Sequence, residues 1–365
     1  MTGLTIGRVL ALQIASQVLF LMNAAIANEQ QQSLFVWKDS TGHSLSITTT
    51  DEWIVQRKLI LQRVQEVMGD FPQPKRTVPL LPIVVSDTKE RSFDRKHVSY
   101  HTDSLDYRVH SWLLVPSSAS HKTPLPAVLC LHQTTDVGKD EPAGLAGDPK
   151  LAYARELAER GFVVLVPDYP SFGDYEYDFE SDDYASGSMK AIYDNVRAVD
   201  YLTTLPVVND AKIGVIGHSL GGHNSIFTAV FEPRLKVIVS SCGFTEFEKY
   251  YQGDLTGWTS QRYMPRILER YRADPAEMPF RFSDLVAALA PRPFLAVAPV
   301  HDHNFDVSGV RDVMSAASPI YRLHDSDRHF QASYPNSQHE FPIAQRRIAY
   351  QFLAEHLSQS PKDPR

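Results

Sequence analysis

One serine of this chain lies where its hydroxyl can act as a nucleophile. Ser219 is at the centre of Gly-His-Ser-Leu-Gly-Gly, residues 217–222, between an apolar run at 213–216 and an apolar-periodic segment that includes Ile226. A G-x-S-x-G pattern between a strand and a helix predicts a nucleophile elbow, a sharp turn that holds the serine above the edge of a sheet. We expect the amide of Leu220, at the helix N-terminus, to stabilise an oxyanion.

A serine nucleophile needs a base, and the base needs an orienting carboxylate. His339 lies in a polar loop before the last predicted helix, and Asp302 follows an apolar run at residues 294–297. Because the carboxyl end of that predicted strand lies at the same sheet edge as the elbow, we expect Asp302 to be the acid and His339 the base. Two other acids stay open: Glu246, after the preceding strand, and Asp306, which also fits the N-cap of the next helix.

Other histidines of the chain do not require a catalytic interpretation. His218 and His223 lie inside the elbow and in the first helical turn after it, where structural roles are expected. The segment 300–306 contains two histidines and two aspartates, but no second cluster accompanies it in the sequence. The sequence therefore indicates neither a metal nor a cofactor.

The elements that must position these side chains are predicted from hydrophobic periodicity. From about residue 125, apolar runs alternate with amphipathic helices, which indicates a mostly parallel sheet with helices on both faces. The buried strands are predicted at residues 127–131, 162–166, 212–216, 235–239 and 294–297.

Helices and further strands flank this core. One helix is predicted to begin at Asp148 and Pro149, and the last covers about 342–357 with Ile348, Phe352 and Leu353 inward. Residues 78–115 are predicted as antiparallel strands. They follow an amphipathic helix from about Trp53 to Met68, which ends at Gly69.

The elbow, the positions of Asp302 and His339, and the loops at 139–149 and 168–173 resemble the α/β-hydrolase superfamily. Within it they resemble the dienelactone hydrolase-like and acetyl xylan esterase-like branch, over about residues 78–357. The resemblance implies an α/β-hydrolase fold and a carboxylic ester hydrolase that works through an acyl-enzyme. Ser219 replaces the cysteine nucleophile of dienelactone hydrolase proper, so the substrate of that enzyme is not implied.

The same resemblance implies a second oxyanion donor in the loop after the first buried strand. Hydrolases commonly have His-Gly in this loop, and here Gln133 replaces the glycine after His132. We expect the amide of Thr134 to be the second donor.

A long irregular segment at about 243–283 is predicted to be an insertion that sets specificity. Aromatic and guanidinium groups alternate in it, which suits a sugar or a carboxylate, although these aromatics also fit simple packing of the insertion. We predict that Trp258, Arg262 and Tyr263 bind substrate, a carbohydrate-linked ester (acetylated or uronate) or another small ester.

Two functions of other classes stay open. A serine peptidase of the prolyl oligopeptidase type would use the same triad, although the chain lacks a propeller-length N-terminal domain. A non-catalytic binding module usually lacks a member of the triad, whereas this chain has candidates for all three.

Composition and termini restrict the cellular setting. The 365 residues carry a formal net charge of -7, so no basic surface for nucleic acid is indicated. Arg8, the apolar residues 9–26 and the Ala-Ile-Ala at 25–27 predict a cleaved signal peptide, residues 1–27, with an uncleaved anchor as the alternative. The mature chain is then secreted or periplasmic without a membrane span, and comprises an extension at 28–77 with one helix and a hydrolase domain at 78–358.

The two cysteines are predicted to be unpaired. Cys130 lies inside the first buried strand, and Cys242 follows the strand at 235–239. Because these strands are not expected to be neighbours, both cysteines are interpreted as small core residues.

Overall fold

A computed structural model of the protein describes residues 36–38, 44–72 and 78–358, and the predicted signal peptide lies outside this part. In the described residues the strands are β1 (Val36–Lys38), β2 (Ser44–Ser46), β3 (Ile83–Lys89), β4 (Phe93–Tyr100), β5 (Val109–Pro116), β6 (Leu125–Leu131), β7 (Val163–Pro167), β8 (Val208–His218), β9 (Leu235–Ser241), β10 (Phe294–Val297) and β11 (Phe330–Ser333). The α-helices are α1 (Thr50–Met68), α2 (Tyr153–Ala158), α3 (Gly187–Thr204), α4 (Leu220–Phe231), α5 (Arg266–Glu269), α6 (Phe282–Ala287), α7 (Val307–Leu323) and α8 (Ile343–Ser358). Across these ranges, no helix combines the length and the apolar character that crossing a membrane requires.

Nine strands form one sheet in the order β11-β10-β9-β8-β6-β7-β5-β4-β3, and β1 pairs with β2 separately. The pairs from β7 through β6, β8, β9 and β10 to β11 are parallel. The pairs of β3 with β4, β4 with β5 and β5 with β7 are antiparallel. The predicted architecture, a mostly parallel sheet preceded by antiparallel strands, is confirmed.

The core lies on both faces of this sheet, as the alternation along β6 demonstrates. Ala127, Leu129 and Leu131 belong to a cluster with residues of α1, α3, α4 and α7. Val128 and Cys130 belong to a second cluster with residues of α2 and α8. Because successive side chains of a strand point to opposite faces, a strand covered on both sides reads as a continuous apolar run.

Helix α1 packs into the first of these clusters, although it precedes the predicted hydrolase domain. Its buried face includes Trp53 and Ile60. The side chain of Arg57 donates hydrogen bonds to the carbonyls of Ala288 (2.8 Å) and Val230 (2.7 Å). The helix is followed by Gly69, whose φ of 96° favours glycine. The predicted helix and its end are thus confirmed.

Some predictions about elements were wrong. Ile348 was predicted to face the core, but it is 43% exposed, whereas Phe352 and Leu353 are buried. Strand β11 was not predicted. Asp148 caps a short 3-10 turn at Pro149–Leu151, and the α-helix begins only at Tyr153.

The insertion between β9 and β10 is a packed unit rather than an open loop. It contains four 3-10 turns and helix α5. Phe247, Leu255, Trp258 and Ile267 are buried in the first core cluster. The insertion therefore forms a fixed wall beside the carboxyl ends of the strands.

Candidate active site

The turn between β8 and α4 holds Ser219 in a left-handed backbone conformation, with φ 54° and ψ -117°. A Cβ on Gly217 would lie 2.1 Å from the carbonyl oxygen of Gly221, and a Cβ on Gly221 would lie 1.9 Å from that of Leu131. Such distances exclude any side chain without movement of the backbone. The two glycines of the motif are therefore required by backbone packing, and the predicted elbow is confirmed as a structure.

Ser219, His339 and Asp302 are joined by hydrogen bonds. The Nε2 atom of His339 lies 2.9 Å from Oγ of Ser219, and its Nδ1 lies 2.8 Å from Oδ2 of Asp302. The other oxygen of Asp302 accepts the amides of Asn304 (2.9 Å) and Phe305 (3.1 Å). Burial alone would raise the pKa of Asp302, but these hydrogen bonds and the charge of His339 outweigh it and lower the pKa.

Neither alternative acid makes this contact with His339. Glu246 is buried 3.7 Å from Nε of Arg281, and burial raises its pKa to about 7. Asp306 is the N-cap of α7, where its side chain accepts the amide of Ser308 at 2.7 Å. The structure thus brings Asp302, and not Glu246 or Asp306, to the imidazole.

The loop after β6 brings Thr134 to the same cavity as Ser219 and Leu220. His132 fixes this loop: its Nδ1 lies 2.6 Å from the carbonyl of Gln133, and its Nε2 accepts the amide of Tyr169 at 2.9 Å. Burial lowers the pKa of His132 to about 4, so the ring is neutral and can do both.

Of the two predicted oxyanion donors, Leu220 and Thr134, the position of Leu220 suits a free backbone amide. Leu220 is the first residue of α4, where a backbone amide has no acceptor within the helix. The side chain of Gln133 donates to Glu141 at 2.9 Å, which shows how this loop accommodates a residue larger than glycine.

A cavity of about 100 Å³ opens beside Ser219. Its walls come from the elbow, the loop after β6, the insertion and the segment after Asp302. The lining residues are Thr134, Ser219, Leu220, His223, Tyr250, Gly257, Trp258, Tyr263, Asn304 and Phe305. Of the residues predicted to bind substrate, Trp258 and Tyr263 are therefore at the cavity.

Arg262 does not line this cavity, so the structure does not bring it to the predicted position. Its Nε donates to Oγ of Ser171 at 2.8 Å, and its guanidinium lies 4.4 Å from the ring centre of Phe172. Asn304 and Phe305 were not predicted as lining residues, although they follow Asp302 by two and three positions. His223 was predicted to be structural, whereas this buried histidine lines the cavity as well.

A second cavity of about 380 Å³ includes His339 and His218 in its wall. Arg346, which also lines it, is paired with Glu156 at 3.1 Å. Burial lowers the pKa of His218 to about 3, so its ring adds no charge beside His339.

The thiol of Cys242 lies beside Asp302 and His339, and donor atoms of all three lie within 4.8 Å of one another. Burial raises the pKa of this thiol well above its ordinary value. Its Sγ donates to the carbonyl of Glu340 at 3.3 Å. A metal would need the thiolate of Cys242 and a free nitrogen of His339, but burial keeps the thiol protonated and both ring nitrogens are already hydrogen-bonded, so this trio does not fit a metal site.

Comparison with known proteins adds the family. The model of the prolyl oligopeptidase family matches residues 151–360. The chain belongs to this family.

Two curated relatives and one solved structure are similar to this chain. The chain is 29% identical over 212 residues to the putative hydrolase YtaP of Bacillus subtilis (strain 168). This alignment covers 54% of this chain and 67% of that protein. It is 27% identical over 314 residues to 4-O-methyl-glucuronoyl methylesterase 1 of Wolfiporia cocos (strain MD-104), covering 80% and 72%. The structure of a glucuronoyl esterase from Solibacter usitatus superposes with a TM-score of 0.70 at 17% identity, covering 89% of this chain and 97% of that chain.

These findings confirm three predictions, on the fold, the branch of the superfamily and the enzyme class. The α/β-hydrolase fold, the esterase branch of that superfamily and the enzyme class, a serine ester hydrolase, agree with the family and its relatives. The substrates that the relatives' names state are substrates of those proteins.

Proposed function

We propose that Ser219, His339 and Asp302 form a catalytic triad that hydrolyses carbohydrate-linked carboxylic esters. The observation that supports this most directly is the pair of hydrogen bonds of His339, to Ser219 at 2.9 Å and to Asp302 at 2.8 Å. Their order gives each side chain a distinct task. The open cavity beside Ser219 supplies room for an ester carbonyl.

In the first half of the reaction, Nε2 of His339 accepts the proton of Ser219 as Oγ attacks the ester carbonyl. The tetrahedral oxyanion then rests on the amides of Leu220 and Thr134. The imidazolium, stabilised by Asp302, gives its proton to the leaving alcohol, and the acyl group stays on Oγ. Water, deprotonated by His339, releases the acyl group by the same route.

The cavity lining supports a sugar-bearing or other neutral ester as substrate. Aromatic faces of Tyr250, Trp258 and Tyr263 suit the apolar faces of sugar rings. Burial lowers the pKa of His223 to about 3, so this side chain is neutral near pH 7. The curated relative from Wolfiporia cocos and the Solibacter usitatus structure bear names of glucuronoyl esterases, which favours uronate esters beside acetylated sugars.

A substrate screen with the purified protein tests this function. We expect faster hydrolysis of acetylated sugars or uronate methyl esters than of simple aryl acetates. A fluorophosphonate probe should label Ser219. Ser219→Ala should lower kcat by about 10⁴-fold or more while the melting temperature stays near that of the wild type.

Two results would contradict the proposal in different ways. Equal rates on aryl acetates and sugar esters would remove the carbohydrate part and leave the esterase. No labelling of Ser219 and no ester hydrolysis would favour a non-catalytic binding module.

Peptidase activity is a second candidate, because the matching family model is that of the prolyl oligopeptidases. A peptidase would use the same three side chains. Release of a chromophore from a proline-linked amide at a rate comparable to the best ester would favour it. We expect the amide to react far more slowly, since the named relatives given above with a stated reaction are esterases.

We also propose that residues 1–27 are removed as a signal peptide, which leaves the 28–77 extension and the 78–358 domain in a secreted or periplasmic protein. Arg8, the apolar stretch and the Ala-Ile-Ala sequence support this. Mass spectrometry of the exported protein should find Asn28 at its N-terminus. An intact N-terminus in the membrane fraction would argue for an anchor instead.

A further inference from the structure

Two histidines on neighbouring strands and an aspartate from a loop form a compact group of nitrogen and oxygen donors. His97 lies on β4 and His110 on β5. In the antiparallel register His97 faces Trp112 and His110 faces Ser99, so the histidines are diagonal neighbours on one face of the sheet. Asp174 comes from the loop that follows β7.

The donor atoms have the spacing of a metal site. Nε2 of His97 lies 3.3 Å from Nδ1 of His110 and 3.6 Å from Oδ2 of Asp174, and the three atoms lie within 4.8 Å of one another. In a tetrahedral zinc site with bonds of about 2.0–2.1 Å, neighbouring ligand atoms are about 3.3 Å apart. A cation can therefore contact these atoms after only small side-chain movements.

Lys139 supplies the outer contacts of this group. Its buried ammonium lies 2.9 Å from Oδ2 of Asp168 and 2.5 Å from Oδ2 of Asp174. Ligating carboxylates are commonly held by such a second hydrogen bond. With the Lys139–Asp168 pair counted as neutral, Asp174 and the nearby Asp140 leave two negative charges, which a divalent cation would neutralise.

The loop that carries Asp174 is already fixed in place. Asp168 accepts the amides of Lys139 (2.8 Å) and Asp174 (3.0 Å). A Cβ on Gly138 or Gly173 would lie 2.2 Å from Asp168, so both glycines are needed for this packing.

We propose that His97, His110 and Asp174 bind one divalent first-row transition metal ion, of which Zn²⁺ is the natural probe. Two imidazoles and a carboxylate are a donor set for such ions and leave at least one coordination position open. The bound ion would connect β4 and β5 to the loop at 168–174. That loop holds His132 through the amide of Tyr169, so the ion would stiffen the support of Thr134.

Calorimetric titration of the purified, tag-free, chelator-treated protein with Zn²⁺ tests the site. We expect one ion per chain and a higher melting temperature with Zn²⁺. His97→Gln, His110→Gln and Asp174→Asn should each weaken binding by at least about tenfold. His121→Gln, which changes an exposed histidine elsewhere, is the matched control and should bind as the wild type does.

Asp174→Asn is the decisive variant because its side chain is 56% exposed and its loss should not prevent folding. Absence of saturable binding to the wild-type protein would overturn the proposal. So would Zn²⁺ binding of unchanged stoichiometry and affinity in all three variants. Neither result would bear on ester hydrolysis, which is measured separately.

Discussion

The tautomer of His339 follows from its two hydrogen bonds. Asp302 is held with a lowered pKa, so its carboxylate accepts the proton on Nδ1. The lone pair of Nε2 is then directed at Ser219. Since the other oxygen of Asp302 accepts two backbone amides, the carboxylate cannot turn away without losing them.

Substitution of the two candidate acids distinguishes between them. Asp302→Asn keeps the size of the side chain but favours the wrong tautomer of His339, and we expect kcat on an aryl acetate to fall by about 10⁴-fold. Glu246→Gln is the matched control, since Glu246 contacts Arg281 instead, and should change kcat less than tenfold. The reverse ranking of the two variants would identify Glu246 as the acid.

The sequence predicted the types and the chain order of these side chains, but not the direction in which every one points. Asp302 could be placed because it follows a predicted strand whose carboxyl end lies at the sheet edge, and His339 because it lies in the polar loop before the last helix. Arg262 could not, because it lies in an insertion without periodicity. Its position depends on Ser171 and Phe172, which come from a loop some ninety residues earlier.

The stability of the folded insertion depends on the protonation of one buried carboxyl group. Glu246 lies at the start of the insertion. Among the described residues, only Arg281 brings a positive charge near it, with Nε at 3.7 Å, and that side chain is half exposed. Burial raises its pKa from 4.5 to about 7. The folded protein therefore holds this proton more tightly than the unfolded chain does.

This raised pKa predicts a pH dependence of stability. The contribution of Glu246 is fully present below pH 4.5 and is lost as the pH rises through about 7, a total of about 3 kcal/mol. Glu246→Gln removes the titration, so the variant should gain about that much relative to the wild type between pH 4.5 and pH 8. Urea unfolding of both proteins at these pH values measures it. Parallel pH profiles would show that Glu246 does not titrate in this range.

Elements with a clear apolar signal were predictable, and elements without one were not. Strand β10 was predicted with its observed bounds because four apolar residues are flanked by proline-containing turns. Strand β11 has only four residues at the edge of the sheet, partly exposed, and so carries no apolar signal. Ile348 has the residue type of a core position. However, the buried stripe of α8 runs through Ala349, Phe352, Leu353 and Leu357, and Ile348 lies at its exposed edge.

For the whole molecule, the strand order decides the state of the cysteines. Strand β8 separates β6, which carries Cys130, from β9, which precedes Cys242. Two strand spacings amount to about 10 Å, beyond the Cα separation that a disulfide allows. Both thiols are free and buried, as predicted from the sequence.

We therefore expect neither thiol to react readily with a thiol reagent in the native protein and both to react after unfolding. Burial raises the pKa of each thiol well above its ordinary value, which removes the reactive thiolate. A reductant should leave the melting temperature unchanged. A lower melting temperature in reductant, or fewer than two thiols in denaturant, would instead indicate a disulfide.

The uncharged wall of the cavity beside Ser219 has a consequence for the end of each turnover. Deacylation releases a carboxylic acid, which ionises at neutral pH. Of the described residues that line this cavity, none has a side chain that is cationic near pH 7, and the whole protein carries a formal charge of -7. Because no cationic side chain lines this wall, the carboxylate gains no charge-assisted hydrogen bond from it. The acid should therefore leave quickly, and its accumulation should inhibit the enzyme only weakly.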